Sequence, residues 1–489
     1  MSSKPTSGII KNTLSLGTAT VICIALGLAY TIIVIRNFPT DIYGLYTLIS
    51  IVVSFLITLG SLGLEMTISR FIAAADIEEK NDLFNTAISA RICAIIIVCI
   101  LSWLIRPLLG MIFGQQVAAD AVFVFVPLLF IFDSSRSILK SILQGHFKFS
   151  AMGISDIIYS FFNLVFASFF VFFHSMGLTE LIFSRFFATV LCCLFAYISI
   201  PKNGKFKFQF VNFKKIFKFG FPLQINDIIN FIFARIDSII IGALLGPTNI
   251  AIYEVARGIP DTLQSLFEPF RSVFYPFLSK FFEKGDQKGA ARLINDSTRI
   301  VSFAVLSSAL FIILFGEDVI KLLFTEKYLL SVPILKIQMV GLCVSLLCNV
   351  LGTSLVAVGD SSKPMYINFV HVVVKVVGNF IFIPMFSLIG AAVVGVVGEL
   401  SAFPLNFVFL YRKIKINIIA FAKPIIIFGV VTCAGVLVSP ASFLIKCVWF
   451  AAYLVACVGF AVITKDDVVR VISGSGILNY PFFKKFKIG

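Results

Sequence analysis

Stretches of about twenty consecutive apolar residues recur from one end of this chain to the other, and a polypeptide built this way has few folds open to it. As a helix, such a stretch matches the roughly 30 Å hydrocarbon core of a bilayer. In lipid every backbone polar group must be satisfied internally, which leaves only helices and closed barrels. Reading clusters of Lys, Arg, Pro and Gly as punctuation places fourteen spans, near 12–35, 44–66, 84–105, 120–143, 151–173, 178–199, 220–245, 250–275, 299–315, 333–358, 364–386, 390–411, 423–439 and 446–464. Of the 489 residues 13% are charged, against roughly 25% in a soluble domain. The sequence therefore predicts an all-α polytopic membrane protein with 14 transmembrane helices and no separate globular domain. The first span is too long for a signal h-region and no small-residue cleavage site follows it, so it is expected to be a retained anchor.

Cytoplasmic loops hold Lys and Arg back from translocation. With the N-terminus inside, the outward loops carry only Arg36, Arg106, Lys321, Lys327 and Lys446, so both termini are expected in the cytoplasm. The net charge of +15 then reflects topology and attraction to anionic lipid. Spread over many short loops, it offers nothing for nucleic acid to bind. Cys23, Cys93, Cys99, Cys192, Cys193, Cys343, Cys348, Cys433, Cys447 and Cys457 all fall in predicted spans, where thiols serve as small packing residues. No CxxC or Cys/His spacing points to a metal, and no cofactor is expected.

An internal repeat is visible at an offset of 208: Pro39-Thr40-Asp41-Ile42 aligns with Pro247-Thr248-Asn249-Ile250, Lys80 with Lys288, Ser89 with Ser297, and Arg91-Ile92 with Arg299-Ile300. At offsets of 213 to 216, Gly145 meets Gly359, Lys148 meets Lys363, Asn163 meets Asn379 and Gly177 meets Gly390. Two six-helix lobes are thus expected, over 1–201 and 220–415. Because six is even, they would be related by an axis along the membrane normal. Residues 202–219 form a linker with six Lys and no acid, read either as an interfacial amphipathic helix on anionic lipid or as a purely topogenic loop. Residues 416–489 hold two extra helices and a tail.

A charge at the bilayer centre costs at least about 2.5–3.5 kcal/mol, so it marks a wet cavity or a paired site. Within 250–275, Glu254, Arg257, Asp261, Gln264, Glu268 and Arg271 fall within roughly 100° of the helix circumference. That stripe must face water or protein, and Pro260, Pro269 and Pro276 in the same segment suggest bending. Two readings of its ions stand: substrate contacts, or i,i+3 and i,i+4 structural pairs. Asn226, Asp227, Asn230 and Asp237 form a weaker stripe in 220–245, with Arg235 to one side; Asp133, Arg136 and Lys140 share a face in 120–143. Asn368, His371, Lys375 and Asn379 line one face of 364–386, where Glu399 of the next span is the acid to answer them. Arg185 and Lys336 are placed to snorkel. Asp156 has no evident partner and is a candidate carrier of a proton or sodium ion.

No GxxxxGK[ST], HExxH or GxSxG occurs, and the longest outward loops, near 106–119 and 316–332, are small. ATP hydrolysis and an extracytoplasmic catalytic site are both excluded, so the chain is not expected to be an enzyme.

The run Arg36-Asn37-Phe38-Pro39-Thr40-Asp41-Ile42-Tyr43-Gly44-Leu45-Tyr46, then Gly63-Leu64-Glu65 and Ser69-Arg70-Phe71, resembles the first two helices of polysaccharide-transporter flippases. Phe219-Gly220-Phe221-Pro222, Arg235-Ile236-Asp237, Leu245-Gly246-Pro247, Ala251-Ile252-Tyr253 and Tyr275-Pro276 are similar to a second segment of that family. The resemblance implies the fold of the multidrug/oligosaccharidyl-lipid/polysaccharide exporter superfamily: two lobes forming a V that alternates between inward- and outward-open states. It also implies movement of undecaprenyl-diphosphate-linked O-antigen or capsule units across a bacterial inner membrane. Lipid II flippases of this superfamily line their first helix with Arg, whereas here no charge stands between Lys11 and Arg36, which speaks against lipid II as cargo.

Guanidinium forks suit phosphate oxygens. Arg257 and Arg235 are therefore the first candidates for head-group contact, followed by Arg136, Arg271 and Lys375. Asp237, Asp261, Glu254, Asp156 and Glu399 are the candidates for H+ or Na+ coupling or for lining the cavity. Because acids stand among the cations, a net positive cleft does not follow from counting. A polysaccharide polymerase or another assembly protein is a candidate partner. Two other functions remain open: a cation-coupled multidrug exporter of the same fold, and a scaffold for polysaccharide-synthesis enzymes.

Overall fold

The computed structural model describes residues 4–113, 124–201, 206–360, 362–437 and 443–459. The start of the 120–143 span, the first residues of the basic linker and the tail beyond 459 lie outside the described residues. Among those described, every regular element is a helix: α1 (Lys4–Asn37), α2 (Thr40–Gly60), α3 (Leu64–Ala74), α4 (Ile77–Phe113), α5 (Phe125–Gly145), α6 (Phe149–Phe172), α7 (Leu178–Ser199), α8 (Phe213–Leu245), α9 (Pro247–Glu283), α10 (Gln287–Leu323), a 3-10 turn (Glu326–Tyr328), α11 (Ser331–Ala357), α12 (Ser362–Lys413), α13 (Ile418–Leu437) and α14 (Phe443–Gly459). Nine segments among the described residues are long and apolar enough to cross a membrane. Neither α5 nor α9 is one of them, because both carry several charges.

Hydropathy sees only the lipid-facing part of a helix, so several elements outrun their predicted spans. The stretch near 299–315 is the middle of α10, for example. Ser387, at φ 54° and ψ −138°, breaks α12 between the stretches read as 364–386 and 390–411. The prolines of α9 do not end it: the helix is continuous through Pro260, Pro269 and Pro276.

The chain forms two compact units. The first comprises Met1–Val255 with Leu323–Lys327 and Asn379–Leu388; the second comprises Ala256–Leu322, Tyr328–Gly378 and Ile389–Gly489. In the first unit α5 packs on α2, α3, α4 and α7, while α6 lies on α1 and α7. Ile138, Ile142 and Leu143 of α5 meet Leu64, Ile68 and Ile72 of α3, and Leu129 and Phe130 meet Val52, Val53 and Leu56 of α2. Lipid is as apolar as these side chains, so packing and interhelical hydrogen bonds, rather than escape from water, hold such helices together.

The span read as continuous over 44–66 is interrupted. Between α2 and α3, Leu62 and Gly63 take φ 51° and 64°, a left-handed turn that favours glycine. The exposed backbone groups are met by one side chain of α8. Gln224 Oε1 accepts from Ser61 Oγ (2.5 Å) and Gly63 N (2.8 Å), and its Nε2 donates to Thr58 O (2.6 Å).

Of the two readings of the linker, the described residues 206–212 fit a loop and not an interfacial helix. Residues 206–210 are irregular and α8 begins only at Phe213. The segment is strapped to the polar face of α4: Lys207 N donates to Asn85 Oδ1 (3.3 Å), Gln209 N to Ser89 Oγ (3.1 Å), Gln209 Nε2 to Asp82 Oδ1 (2.8 Å), and Thr86 Oγ1 to Val211 O (3.0 Å). Those side chains offer the backbone better partners than an isolated short helix would.

In the second unit α14 rests on α10, with Phe450 against Phe311 (5.8 Å) and Phe443 against Phe315 (5.5 Å). Lys446, read as an outward-loop residue, pairs with Asp318 of α10 at 2.8 Å.

Two glycines separate backbone strain from close contact. At Gly246 (φ 82°) an added methyl meets open space, whereas at Gly63 it would run into the Gly220 carbonyl. Gly246 pairs that φ with ψ −177°, a region essentially reserved for glycine, so Gly246→Ala should cost the backbone penalty alone, about 1–3 kcal/mol. Gly63→Ala should cost clearly more and lower the thermal unfolding midpoint in detergent further. Equal midpoints for the two variants would show that the α2–α3 break is not held against α8.

Candidate functional site

Helix α5 is the polar hub of the first unit, and its 3.6-residue period sends successive polar side chains to four neighbouring helices. Toward α7, Asp133 accepts from Arg185 Nη2 at 2.6 Å and from Thr189 Oγ1 at 3.1 Å; Arg185 also donates to Ser50 Oγ at 2.9 Å. Arg185 is therefore a paired interior residue and does not snorkel. Toward α6, Arg136 meets Asp156 Oδ1 at 3.0 Å and Lys140 meets Asp156 Oδ2 at 2.6 Å. The guanidinium carbon of Arg136 lies 3.8 Å from the Tyr159 ring centre. The expectation that Asp156 has no partner is thus corrected: it serves two cations, supplied by the adjacent helix and invisible to any same-helix spacing rule.

Toward α3 and α4 lies a pair that the sequence reading passed over. Arg91, 2% exposed, donates to Gly60 O (3.0 Å), Ser134 Oγ (3.1 Å) and Glu65 Oε1 (2.5 Å). Ser137 Oγ donates to the same carboxylate oxygen at 2.9 Å. Both Arg91 and Glu65 fall inside predicted spans, so the rule that an intramembrane charge needs a partner applies to them too.

Along α8 and the start of α9, Arg235 Nη1 contacts Glu254 Oε2 at 3.3 Å, and Ser238 Oγ donates to Glu254 Oε1 at 2.5 Å. Asp237 is buried and accepts from Tyr253 OH (2.8 Å) and Ser238 N (2.9 Å). Its carboxylate is part of the helix pairing. Asn226, Asp227 and Asn230, earlier on α8, are exposed.

In the second unit Arg257 Nε donates to Asp261 Oδ2 at 3.0 Å, and Arg271 stands 3.6 Å from Glu268. Both arginines of the α9 stripe thus have an acid of their own helix in contact. Glu399 Oε1 stands 4.0 Å from His371 Nε2, close enough to pair when the imidazole is protonated. The missing side chain of Gly398 makes room for the imidazole. Lys375 follows His371 by one turn of α12 and is half-buried.

The second unit also contains a shallow, open cleft between α9, α10 and α11, lined by Gln264, Glu268, Arg271, Asn349 and Thr353 and walled by Phe267, Phe270 and Phe274. No group of three or more His, Cys, Asp or Glu side chains able to hold a metal ion occurs among the described residues.

Arg91 can be tested as a structural ion. Removing one partner of a buried pair costs about 3–5 kcal/mol, whereas replacing both by apolar groups is often near neutral. Arg91→Met should sharply lower the unfolding midpoint in detergent, and adding Glu65→Met should restore much of the loss. If the double variant is no better than the single one, Arg91 acts on Gly60 and Ser134 and not through Glu65.

The family described as "Polysaccharide biosynthesis protein" matches residues 36–333. A capsular polysaccharide biosynthesis protein of Staphylococcus aureus is 24% identical over 299 residues, covering 59% of this chain and 74% of that protein. A protein of Shigella flexneri named as an O-antigen transporter is 23% identical over 282 residues, covering 57% of this chain and 66% of that one. Among solved structures, the lipid II flippase MurJ in an inward-closed conformation superposes with a TM-score of 0.73 at 17% identity, covering 90% of this chain and 97% of that one, a likeness of fold. Because the family model spans residues 36–333, more than half of the chain, this multi-pass helical membrane protein belongs to the polysaccharide biosynthesis protein family.

Proposed function

We propose that the chain is a flippase that carries undecaprenyl-diphosphate-linked oligosaccharide from the cytoplasmic to the outer leaflet of the bacterial inner membrane by alternating access. The fourteen spans, the two six-helix lobes and cytoplasmic termini belong to this reading. A diphosphate bearing sugars cannot cross about 30 Å of hydrocarbon unaided, and a protein that moves it must present positive charge that is not already spent. The carrying observation is the Arg136–Asp156–Lys140 cluster: two cations share one carboxylate. That leaves one positive charge over, on side chains 25% and 40% exposed.

Phosphate oxygens can take the Arg136 fork and the Lys140 ammonium in place of Asp156. Asp156, left without its cations, then becomes the group to which H+ or Na+ binds, which links ion and cargo at one site. Arg235, Arg257 and Arg271 each face one acid and rank behind Arg136 as head-group contacts, with Lys375 beside them. Asp237, Asp261, Glu254 and Glu399 then serve mainly to hold those pairs and the helices they join. A drug exporter for cationic compounds would instead need an acid to spare, and in this cluster the excess is of the opposite sign.

The double variant Arg136→Ala/Lys140→Ala should lower surface polysaccharide at least tenfold in a strain lacking its own copy of the protein, with lipid-linked oligosaccharide accumulating on the cytoplasmic leaflet and tolerance of cationic drugs unchanged. Lys140→Arg should retain most of the export. Intact surface glycan with the double variant correctly folded in the membrane would overturn the proposal, and a selective loss of drug tolerance would favour the exporter.

A further inference from the structure

We propose that the strap joining α7 to α8, together with the first turns of α8, is a binding site for an anionic glycerophospholipid of the surrounding membrane. The first observation is a ladder of rings. Phe208 meets Phe210 at 5.3 Å between centres, Phe210 meets Phe213 at 5.7 Å, Phe213 meets Phe217 at 5.9 Å and Phe217 meets Phe221 at 5.8 Å. Phe208, Phe210, Phe217 and Phe221 are exposed. Phe213, Phe217 and Phe221 recur every four residues and so share one face of α8. Ile216 and Gly220, to one side of that face, are buried; Lys214 and Lys218, to the other side, are exposed. The rings thus stand at the edge of the protein with two ammonium groups on their outer flank. In water each ring would forfeit the free energy of burial, and a contiguous apolar patch of this kind marks a membrane or partner contact.

The second observation is charge. Residues 206–221 hold Lys207, Lys214, Lys215 and Lys218 and no acid. The acid that the strap does touch, Asp82 of α4, accepts from the Gln209 amide. Lys215 lies over the Phe71 ring at 5.2 Å and Arg70 over the Phe219 ring at 4.5 Å, so those two cations help to hold α8 against α3. That leaves Lys214 and Lys218 for a ligand. A phospholipid fits both halves of the surface. Its phosphodiester is an anion that the compact charge of an ammonium meets well, and its acyl chains pack along the rings.

The course of the ladder identifies the occupant. It runs from the strap into α8, one of the helices long and apolar enough to cross a membrane. One end of it therefore lies in hydrocarbon and the lysine-bearing end at head-group level, where long cationic side chains reach the phosphates. A soluble acidic protein could not follow the rings into the bilayer. A second copy of this chain would set lysine against lysine, and a free phosphate would have no use for the rings. The strap's bonds to α4 and the burial of Ile216 against Leu143 and Ile200 hold the surface in place without a ligand, and nothing in this assignment depends on the cargo.

The test places a reporter in the ladder. The chain has two tryptophans, Trp103 and Trp449; changing both to Phe and adding Phe217→Trp gives a full-length protein whose one indole sits among the rings. In nanodiscs of phosphatidylglycerol and phosphatidylcholine in equal amounts, brominating the tails of one lipid at a time reports which of them lies against that indole. An ammonium near an anionic surface is worth about a fivefold preference. The brominated anionic lipid should therefore quench at least about threefold more than the brominated zwitterionic one. Lys214→Gln/Lys218→Gln should bring the two within about twofold of each other with total quenching kept, and Lys214→Arg/Lys218→Arg should retain the preference. In the reporter chain without lysine changes, salt at about 1 M, which screens charges beyond about 3 Å, should also remove it. Quenching by neither lipid would put water or an acidic protein on the ladder and overturn the proposal. So would equal quenching by both lipids at low salt, or a preference that survives the double Gln variant.

Discussion

A buried backbone group with no water to turn to must find a partner in the protein, and the interruption between α2 and α3 makes that demand acute. Gly60 closes α2 with a carbonyl that no later turn of helix can use, and Arg91 supplies the donor. Thr58 O and Gly63 N are taken by the two ends of one amide, Gln224. Glu65, in the first turn of α3, lies where a helix N-terminus favours negative charge, and it is also the counter-ion of Arg91. One break thus fixes a cation on α4, an acid on α3 and an amide on α8, and Arg91 ties α5 to the same cluster through Ser134.

Given that anchor, α5 can carry more charge than an ordinary span. Asp133 is neutralised by Arg185 and Glu65 by Arg91, which leaves the Asp156 cluster as the place in the hub where charges do not match one to one. The paired ions hold helices in a medium that provides no hydrophobic force between them. The surplus cation in the Asp156 cluster has no acid of its own to tie it to a neighbouring helix in this way.

Much of the helical layout was legible because lipid imposes a simple length and composition rule, and because Lys, Arg, Pro and Gly mark the ends. The helix break at Ser61–Gly63 escaped because Leu62 and Gly63 are apolar enough to pass as span. The strap over 206–210 escaped for another reason: six Lys suggested a membrane surface, while its polar partners, Asp82, Asn85, Thr86 and Ser89, lie more than a hundred residues earlier. Same-helix spacing correctly paired Arg257 with Asp261 and Arg271 with Glu268, since those contacts are local. It could not pair Asp156 with Arg136 or Asp133 with Arg185. Those pairs depend on which helices become neighbours, and periodicity within a helix carries no information about that.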